Sequence, residues 1–146
     1  MIFDVKLISI KNNIDTRGFF REIFRPDEID NRINIKQISH SFIKKNVIKA
    51  WHIHKKQFQW NYLLKGKIIV TLLDLRKNSK SFKNTKTFTI SEKNNKVVYF
   101  FPPGVAHGYI SKNNENHMIY GTSGYYNPKE EYKIKPSKIQ ISNYFK

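Results

Sequence analysis

The sequence predicts an all-β protein that folds as a β-sandwich or a jelly-roll barrel. Apolar and polar residues alternate with a period of two along most of the chain, and long amphipathic helical windows are absent. Turn-forming residues separate these runs, with Lys65-Gly66 typical of a hairpin turn and Pro102-Pro103-Gly104 typical of another sharp turn. Many short strands joined by regular turns within 146 residues favour these two architectures.

The expected strands cover most of the chain. They are residues 2–10, 18–24, 35–43, 47–54, 58–64, 67–75, 85–90, 97–101, 105–111 and 117–126. We expect a short helix to begin at Pro26, because Asp27 and Glu28 suit the positive end of a helix dipole. Since no linker or repeat interrupts the pattern, we expect a single domain spanning residues 1–146.

The composition describes a basic protein with enough apolar material to form a core. Lys and Arg number 27 and Asp and Glu 11, which gives a net charge of +16, and 39% of the residues are hydrophobic. The lysines are scattered through Asn-rich loops and form no stripe, so a solvated surface is favoured over an anionic-ligand pocket, and both over nucleic acid. No apolar run is long enough to span a membrane. The absence of cysteine fits a reducing compartment, and we expect a cytoplasmic protein.

Three histidines stand in a spacing that indicates a shared pocket. His52 and His54 are two residues apart on an expected strand, so both side chains face the same way. Gln59 follows five residues later, and His107 comes just after the Pro102-Pro103-Gly104 turn. Together these positions resemble the two cupin motifs, so we expect a cupin jelly-roll barrel, also called a double-stranded β-helix.

The same three histidines also suit a metal ion. Imidazoles that converge in the mouth of a barrel would hold zinc, iron or nickel. Metal-binding cupins, however, usually have a glutamate where this chain has Gln59, and a neutral amide is a weaker ligand than a carboxylate. We therefore expect a pocket that works without a metal or other cofactor, with metal binding as the second choice.

Six motifs, in the right order, resemble the dTDP-4-dehydrorhamnose 3,5-epimerase family, a family of cupin-type sugar-nucleotide epimerases. The resemblance runs from about residue 3 to 134, and the chain is identified as a short member. The matching segments are Asp15–Glu22, Gln37–Ser41, Val47–His52, Asp74–Arg76 with Ser79, Pro103–Tyr109 and Tyr120–Pro128.

The resemblance implies an isomerase that inverts the carbons flanking the ketone of a nucleotide-linked 4-keto-6-deoxy sugar. Removing a proton next to a carbonyl needs a positioned base and a group that stabilises the enolate. By resemblance, His52 is the base and Tyr120 returns a proton to the opposite face. His107 and Gln59 are then expected to support the enolate.

The resemblance also implies which residues bind the substrate. Arg17, Phe20 and Glu22 match positions that contact the nucleotide, often from the neighbouring subunit, so we expect a homodimer that exchanges N-terminal strands. Gln37 matches a residue that reads the base. Lys49 replaces an arginine near the phosphates, and we add His54 to the substrate-binding set.

Three departures from the family pattern bear on the chemistry. Gln59 occupies the place of the family's catalytic lysine, so a positive charge is lost unless Lys55 or Lys56 reaches in. Ser39 replaces an asparagine that helps to read thymine. The C-terminal region that supplies an aspartate partner for the histidine is expected to be missing, which leaves either a substitute such as Asp74 or a less activated base.

We therefore expect an epimerase acting at C3, at C5 or at both in surface polysaccharide or deoxysugar biosynthesis. Three alternatives stay open at this point. They are a 3,4-ketoisomerase on the same class of substrate, a metal-dependent cupin enzyme and a non-catalytic module that binds sugar nucleotides.

Overall fold

A computed structural model describes residues 1–25, 29, 33–94 and 96–135, and within them nearly all regular structure is β-strand. The helix expected at Pro26 lies outside the described residues, as does the end of the predicted 1–146 domain. The strands are β1 Lys6–Ser9, β2 Asn13–Asp15, β3 Gly18–Phe20, β4 Gln37–Lys44, β5 Ile48–His54, β6 Gln59–Lys65, β7 Lys67–Asp74, β8 Thr85–Ser91, β9 Val97–Phe101, β10 Val105–Ser111, β11 Glu115–Thr122 and β12 Glu131–Lys133.

Two five-stranded antiparallel sheets form the body of the protein. The first sheet has the strand order β1-β9-β6-β11-β4, and the second has the order β12-β5-β10-β7-β8. Neighbouring strands within each sheet are mostly distant in sequence, because the chain crosses repeatedly from one sheet to the other, as it does in a jelly roll. The all-β prediction is confirmed. Among the described residues, no helix has the length and apolar character needed to cross a membrane.

The main core lies between the two sheets. Leu63, Phe101 and Met118 reach inward from the first sheet and pack with residues such as Val70 and Leu72 from the second. Alternate residues on each strand therefore face this core, which is the physical origin of the period-two pattern in the sequence.

Several predicted elements differ from the structure. The runs expected at 2–10, 18–24 and 117–126 form shorter strands, and β2 and β12 were not predicted. The hairpin predicted at Lys65-Gly66 is wrong, because β6 and β7 belong to different sheets and the turn is a corner between them. Gly66 has a φ of 103°, and a Cβ atom there would lie 2.4 Å from Oδ1 of Asn116, so only glycine fits this corner.

The turn predicted at Pro102-Pro103-Gly104 is confirmed and positions part of the site. It carries the chain from β9 in the first sheet to β10 in the second. The Gly104 amide donates to the His54 carbonyl over 2.8 Å, which ties the start of β10 to the end of β5. Both strands that carry the predicted site histidines are thus held together at this end of the sheet.

Candidate active site

A cavity of about 260 Å³ is lined by strands of both sheets and brings together most of the predicted site. Of the ten predicted site residues, His52, His54, Gln59, His107, Tyr120 and Lys49 line it. The other lining residues are Ser39, Gln57, Asn61, Tyr99, Gly108, Tyr109, Thr122, Tyr126, Asn127, Glu130 and Glu131. Six of the ten predicted site residues therefore share one cavity, and their roles stay predictions.

The three histidines are gathered by strand geometry. His52 and His54 alternate along β5, and His107 on β10 lies opposite His52 in the antiparallel register. The ring centroids of His107 and His52 are 5.9 Å apart, and those of His107 and His54 are 5.4 Å apart. Phe101 packs on the ring of His107 at 4.3 Å and closes the apolar side of the group.

His52 is paired with a carboxylate. Its Nδ1 contacts Oε1 of Glu131, at the start of the short strand β12 that pairs with β5. Because a carboxylate accepts a hydrogen bond, this contact places the imidazole proton on Nδ1 and leaves the lone pair on Nε2. Glu131 thus determines that Nδ1 of His52 carries a proton.

Asp74 does not take this role, so the substitute named from the sequence is wrong. Its buried carboxylate accepts hydrogen bonds from the guanidinium of Arg76 at 2.8 Å and from Ser79 and Ser81 at 2.7 and 2.6 Å. These bonds outweigh the effect of burial, which alone raises the pKa of Asp74, and hold that pKa well below its usual range. Asp74 therefore anchors a loop, and Glu131 is the acid beside the histidine.

His54 sits between a carboxylate and an amide. Its Nδ1 lies 3.0 Å from Oε2 of Glu130, and its Nε2 lies 2.8 Å from Oε1 of Gln59. Gln59 in turn donates from Nε2 to Oδ1 of Asn61 over 2.6 Å. The side chains of His54 and Glu130 are only 13% and 11% exposed, so this network is largely shielded from water.

His107 is electrically neutral. Burial, together with the nearby His54 and His52, lowers the pKa of His107 well below its usual range. Its Nδ1 faces the Val105 carbonyl at 3.3 Å. His107 can therefore orient a polar group of a ligand, but it brings no positive charge to the cavity.

Tyr120 enters the cavity from the other sheet, on β11. Its hydroxyl lies 2.8 Å from Oγ of Ser41 and 2.8 Å from the hydroxyl of Tyr109. Burial raises the pKa of Tyr120 above its usual value, and the hydrogen bonds to Ser41 and Tyr109 lower it only in part. The phenol is therefore protonated at neutral pH and connected to two further hydroxyls.

The side chains of Lys55 and Lys56, which were considered as cations near Gln59, are not among the described residues that line the cavity. Lys55 Nζ donates to the Lys129 carbonyl over 2.5 Å and lies over the ring of Tyr132. The suggestion that one of these two lysines replaces the catalytic lysine is therefore wrong.

The predicted nucleotide-binding residues are more dispersed. Gln37 lies directly behind the cavity wall, where it donates to Ser39 over 2.9 Å and accepts from the Tyr126 amide over 2.8 Å. Arg17 and Phe20 lie on the β2–β3 hairpin with an exposed guanidinium and a ring that is 66% exposed. Within the described part of the chain, these two residues and Glu22 are absent from the cavity lining.

Glu130 and Glu131 are the functional residues that the sequence reasoning missed. They follow the Asn127-Pro128 end of the last family motif, so the motif itself was the available signal. Their partners, His54 and His52, are 76 and 79 residues away in sequence, and only the pairing of β12 with β5 shows the connection.

Part of the set of ring nitrogens in the cavity is already hydrogen-bonded within the protein. Nδ1 of His52 and both ring nitrogens of His54 face protein partners. Across residues 1–25, 29, 33–94 and 96–135, no group of three His, Cys, Asp or Glu side chains is arranged to hold a metal ion.

The fold and the site define a cupin-type jelly-roll protein with a cavity lined by histidine, tyrosine and glutamate side chains. The sequence profile of the family described as dTDP-4-dehydrorhamnose 3,5-epimerase matches residues 1–144. The chain belongs to this family and is an isomerase of the sugar-nucleotide epimerase type. The family identified from the sequence motifs is thereby confirmed.

Individual relatives agree with this assignment. The spore coat polysaccharide biosynthesis protein SpsL of Bacillus subtilis is 38% identical over 130 residues, which cover 88% of this chain and 84% of that protein. The crystal structure of dTDP-4-dehydrorhamnose 3,5-epimerase from Sulfolobus tokodaii is 31% identical, covers 94% of this chain and 80% of that one, and superposes with a TM-score of 0.83. The Legionella pneumophila epimerase, solved in complex with dTDP-4-keto-L-rhamnose, is 26% identical over 92% of this chain and 74% of that one, with a TM-score of 0.83.

Proposed function

We propose that the protein inverts C3, C5 or both in a nucleotide-linked 4-keto-6-deoxyhexose, through an enolate and without a metal or other cofactor. The observation that carries this proposal is the placement of the base and the acid. His52 comes from the second sheet and Tyr120 from the first, and both line the same cavity. A sugar between them is exposed to a base on one side and an acid on the other, as inversion requires.

The first step is proton abstraction by His52. Nε2 of His52 takes the proton from the carbon next to the ketone, and the C–H electron pair moves to form the enolate with its charge on the carbonyl oxygen. Glu131 supports this step because its carboxylate stabilises the imidazolium that forms. His107 contributes orientation and Gln59 contributes a hydrogen bond to the enolate oxygen.

The second step is protonation by Tyr120. Its hydroxyl gives a proton to the opposite face of the same carbon, the enolate collapses to the ketone, and the configuration is inverted. The phenolate recovers a proton from solvent through Ser41 or Tyr109, both in hydrogen-bond contact, and the His52 imidazolium releases the abstracted proton to solvent. No redox change occurs, and substrate and product are isomers.

The nucleotide sugar also suggests where the product is used. The SpsL relative is named for spore coat polysaccharide synthesis, and another relative, 31% identical over 89% of this chain, is named a probable low-salt glycan biosynthesis epimerase, Agl13 of Haloferax volcanii. We therefore place the product in surface polysaccharide or deoxysugar synthesis. A cytoplasmic location fits the nucleotide-activated substrate and a chain without cysteine.

We further propose a homodimer in which the β2–β3 hairpin of one chain reaches the cavity of its partner. Arg17 and Phe20 are exposed and lie outside the cavity of their own chain, while Ile14 on the same hairpin is 76% exposed. The guanidinium of Arg17 is 88% exposed although it pairs with Asp15 over 2.5 Å, and an arm with this cation and exposed apolar side chains is suited to close over a nucleotide diphosphate in a second copy.

Proton NMR of chelator-treated protein with dTDP-4-keto-6-deoxyglucose in D2O tests the function. We expect the C3 or C5 proton signals to disappear faster than in buffer alone, and the carbons affected show which centres are inverted. If no metal is needed, the chelator-treated protein should exchange these protons at the same rate with and without added zinc. Exchange that appears only with added metal, or none at all with this substrate, would contradict the proposal as stated.

Mixing inactive variants tests the shared site. We expect Arg17→Ala and His52→Asn chains, each poorly active alone, to recover activity when co-expressed, because one site in the mixed dimer then has both residues. The control pair is His52→Asn with Tyr120→Phe. Both residues line the cavity of their own chain, so every cavity in the mixed dimer lacks one of them and no activity should be recovered. If the Arg17→Ala mixture also recovers nothing, Arg17 does not act across subunits.

A further inference from the structure

The environment of His54 provides a hydrogen-bond acceptor for each of its ring nitrogens. Glu130 is ionised, because the Lys56 and Gln57 amides donate to Oε1 at 2.7 and 2.9 Å and His54 adds a further bond. Burial raises the pKa of Glu130, but these hydrogen bonds outweigh it and lower the pKa below its usual value. An ionised carboxylate only accepts, so Nδ1 of His54 carries a proton.

Nε2 of His54 faces the side-chain amide of Gln59, and the hydrogen bonds of Asn61 determine how that amide is oriented. Asn61 donates from Nδ2 toward the Tyr99 carbonyl at 3.4 Å, which leaves its Oδ1 to accept from Gln59 Nε2. Gln59 therefore presents its Oε1 to Nε2 of His54. Rotating both amides would bring the oxygen of Asn61 against a main-chain carbonyl, so this direction of the network is favoured.

The groups around His54 favour a positive charge on its ring, because a carboxylate binds it and the neighbouring imidazole of His107 is neutral. Glu130 binds it directly, and the side chain of the register partner Glu131 is bonded to His52. His107, stacked at 5.4 Å, is neutral. The charged or imidazole groups that line this cavity with His54 are His52, Glu131, His107, Glu130 and Lys49, and its titratable phenols are Tyr99, Tyr109, Tyr120 and Tyr126.

We propose that His54 is held as an imidazolium and supplies, through Gln59, the positive charge that the family pattern assigns to a lysine at position 59. This inference rests on the proposed function and deepens it. With both nitrogens occupied, His54 does not touch the substrate, so it is a positioning residue. Its N–H polarises the Gln59 amide, and the second proton on Nε2 of Gln59 becomes a stronger donor to the enolate oxygen.

The protonation state of His54 is measured directly by 15N NMR of histidine-labelled wild-type protein, with the His54 signals assigned by their loss in His54→Gln. At pH 7, where free histidine is mostly neutral, we expect both ring nitrogens of His54 to show shifts of protonated nitrogen. One unprotonated ring nitrogen at that pH would overturn the proposal. This measurement needs no turnover, so it stands even if the enzyme acts on a different substrate.

A rescue experiment tests the consequence for catalysis. We expect His54→Gln to lower kcat about 10- to 100-fold with little change in KM, because the lost charge matters most when the enolate forms. Adding Gln59→Lys to this variant restores a cation at the enolate and should recover at least about 10-fold. The matched control, His40→Gln, changes a surface histidine and should leave kcat unchanged.

The outcomes separate the two proposals. If the wild-type enzyme exchanges substrate protons but the double variant is no better than His54→Gln, His54 does not supply its charge to the enolate through Gln59, while the epimerase function stands. If the wild-type enzyme shows no exchange, the proposed function is wrong, and the NMR spectrum alone decides the charge state of His54.

Discussion

Replacing His52 by asparagine is expected to lower both kcat and the rate of substrate deuterium exchange by about 1,000-fold, while the fold is retained. In the proposed mechanism, Nε2 of His52 removes the substrate proton, because Nδ1 of the same ring is bound to Glu131. Asparagine keeps an N–H donor near the position of Nδ1, so the carboxylate of Glu131 is not left without a partner. The free energy of unfolding should therefore change by only about 1 kcal/mol.

The measurement is the initial exchange rate by NMR alongside the thermal midpoint by circular dichroism. His40→Asn is the matched control, because His40 lies outside the cavity and contacts His117 on the surface. Undiminished exchange in His52→Asn, with the control also active, would remove His52 from the role of base.

Replacing Tyr120 by phenylalanine is expected to slow product formation about 100-fold while exchange of the substrate proton slows by less than about 10-fold. In the proposed mechanism, the hydroxyl of Tyr120 delivers the proton on the far side, after the base has acted. Without it, the enolate still forms and picks up deuterium from the His52 side, which returns labelled substrate without inversion. The separation of exchange from inversion is the distinctive result.

The substitution also removes a hydroxyl that contacts Ser41 and Tyr109, so the folded state must be checked by its thermal midpoint. Tyr125→Phe is the control, since the ring of Tyr125 is 71% exposed and does not line the cavity. An equal loss of exchange and product formation in Tyr120→Phe would argue against separate acid and base residues.

The strands were predictable where burial imposes alternation over several residues. The central strands β5, β6, β7 and β10 form within one or two residues of their predicted bounds, because one side of each faces the core between the sheets. The strands β2 and β12 have three residues each, which is too short to show a period. Their existence depends on pairing with β3 and β5, which no local pattern records.

The cavity was predictable for a related reason. His52 and His54 share a side of one strand, and the turn at Gly104 places His107 at the start of the strand alongside. These are local features, and the family motifs add Tyr120 and Gln59. The partners of the two histidines were not predictable, and Asp74 was named instead of Glu131 because a sequence shows which acids exist but not which one a fold brings near.

The sequence by itself determined the family and the all-β class, and it predicted six residues that the fold gathers around one cavity. The tertiary structure alone decided that Glu131 orients His52, that Glu130 binds His54, and that Lys55 is tied to the Lys129 carbonyl instead of entering the cavity. The physical reason is that alternation and turn chemistry are properties of neighbouring residues. The proton position on an imidazole depends on acceptors that a strand pairing brings from more than 70 residues away.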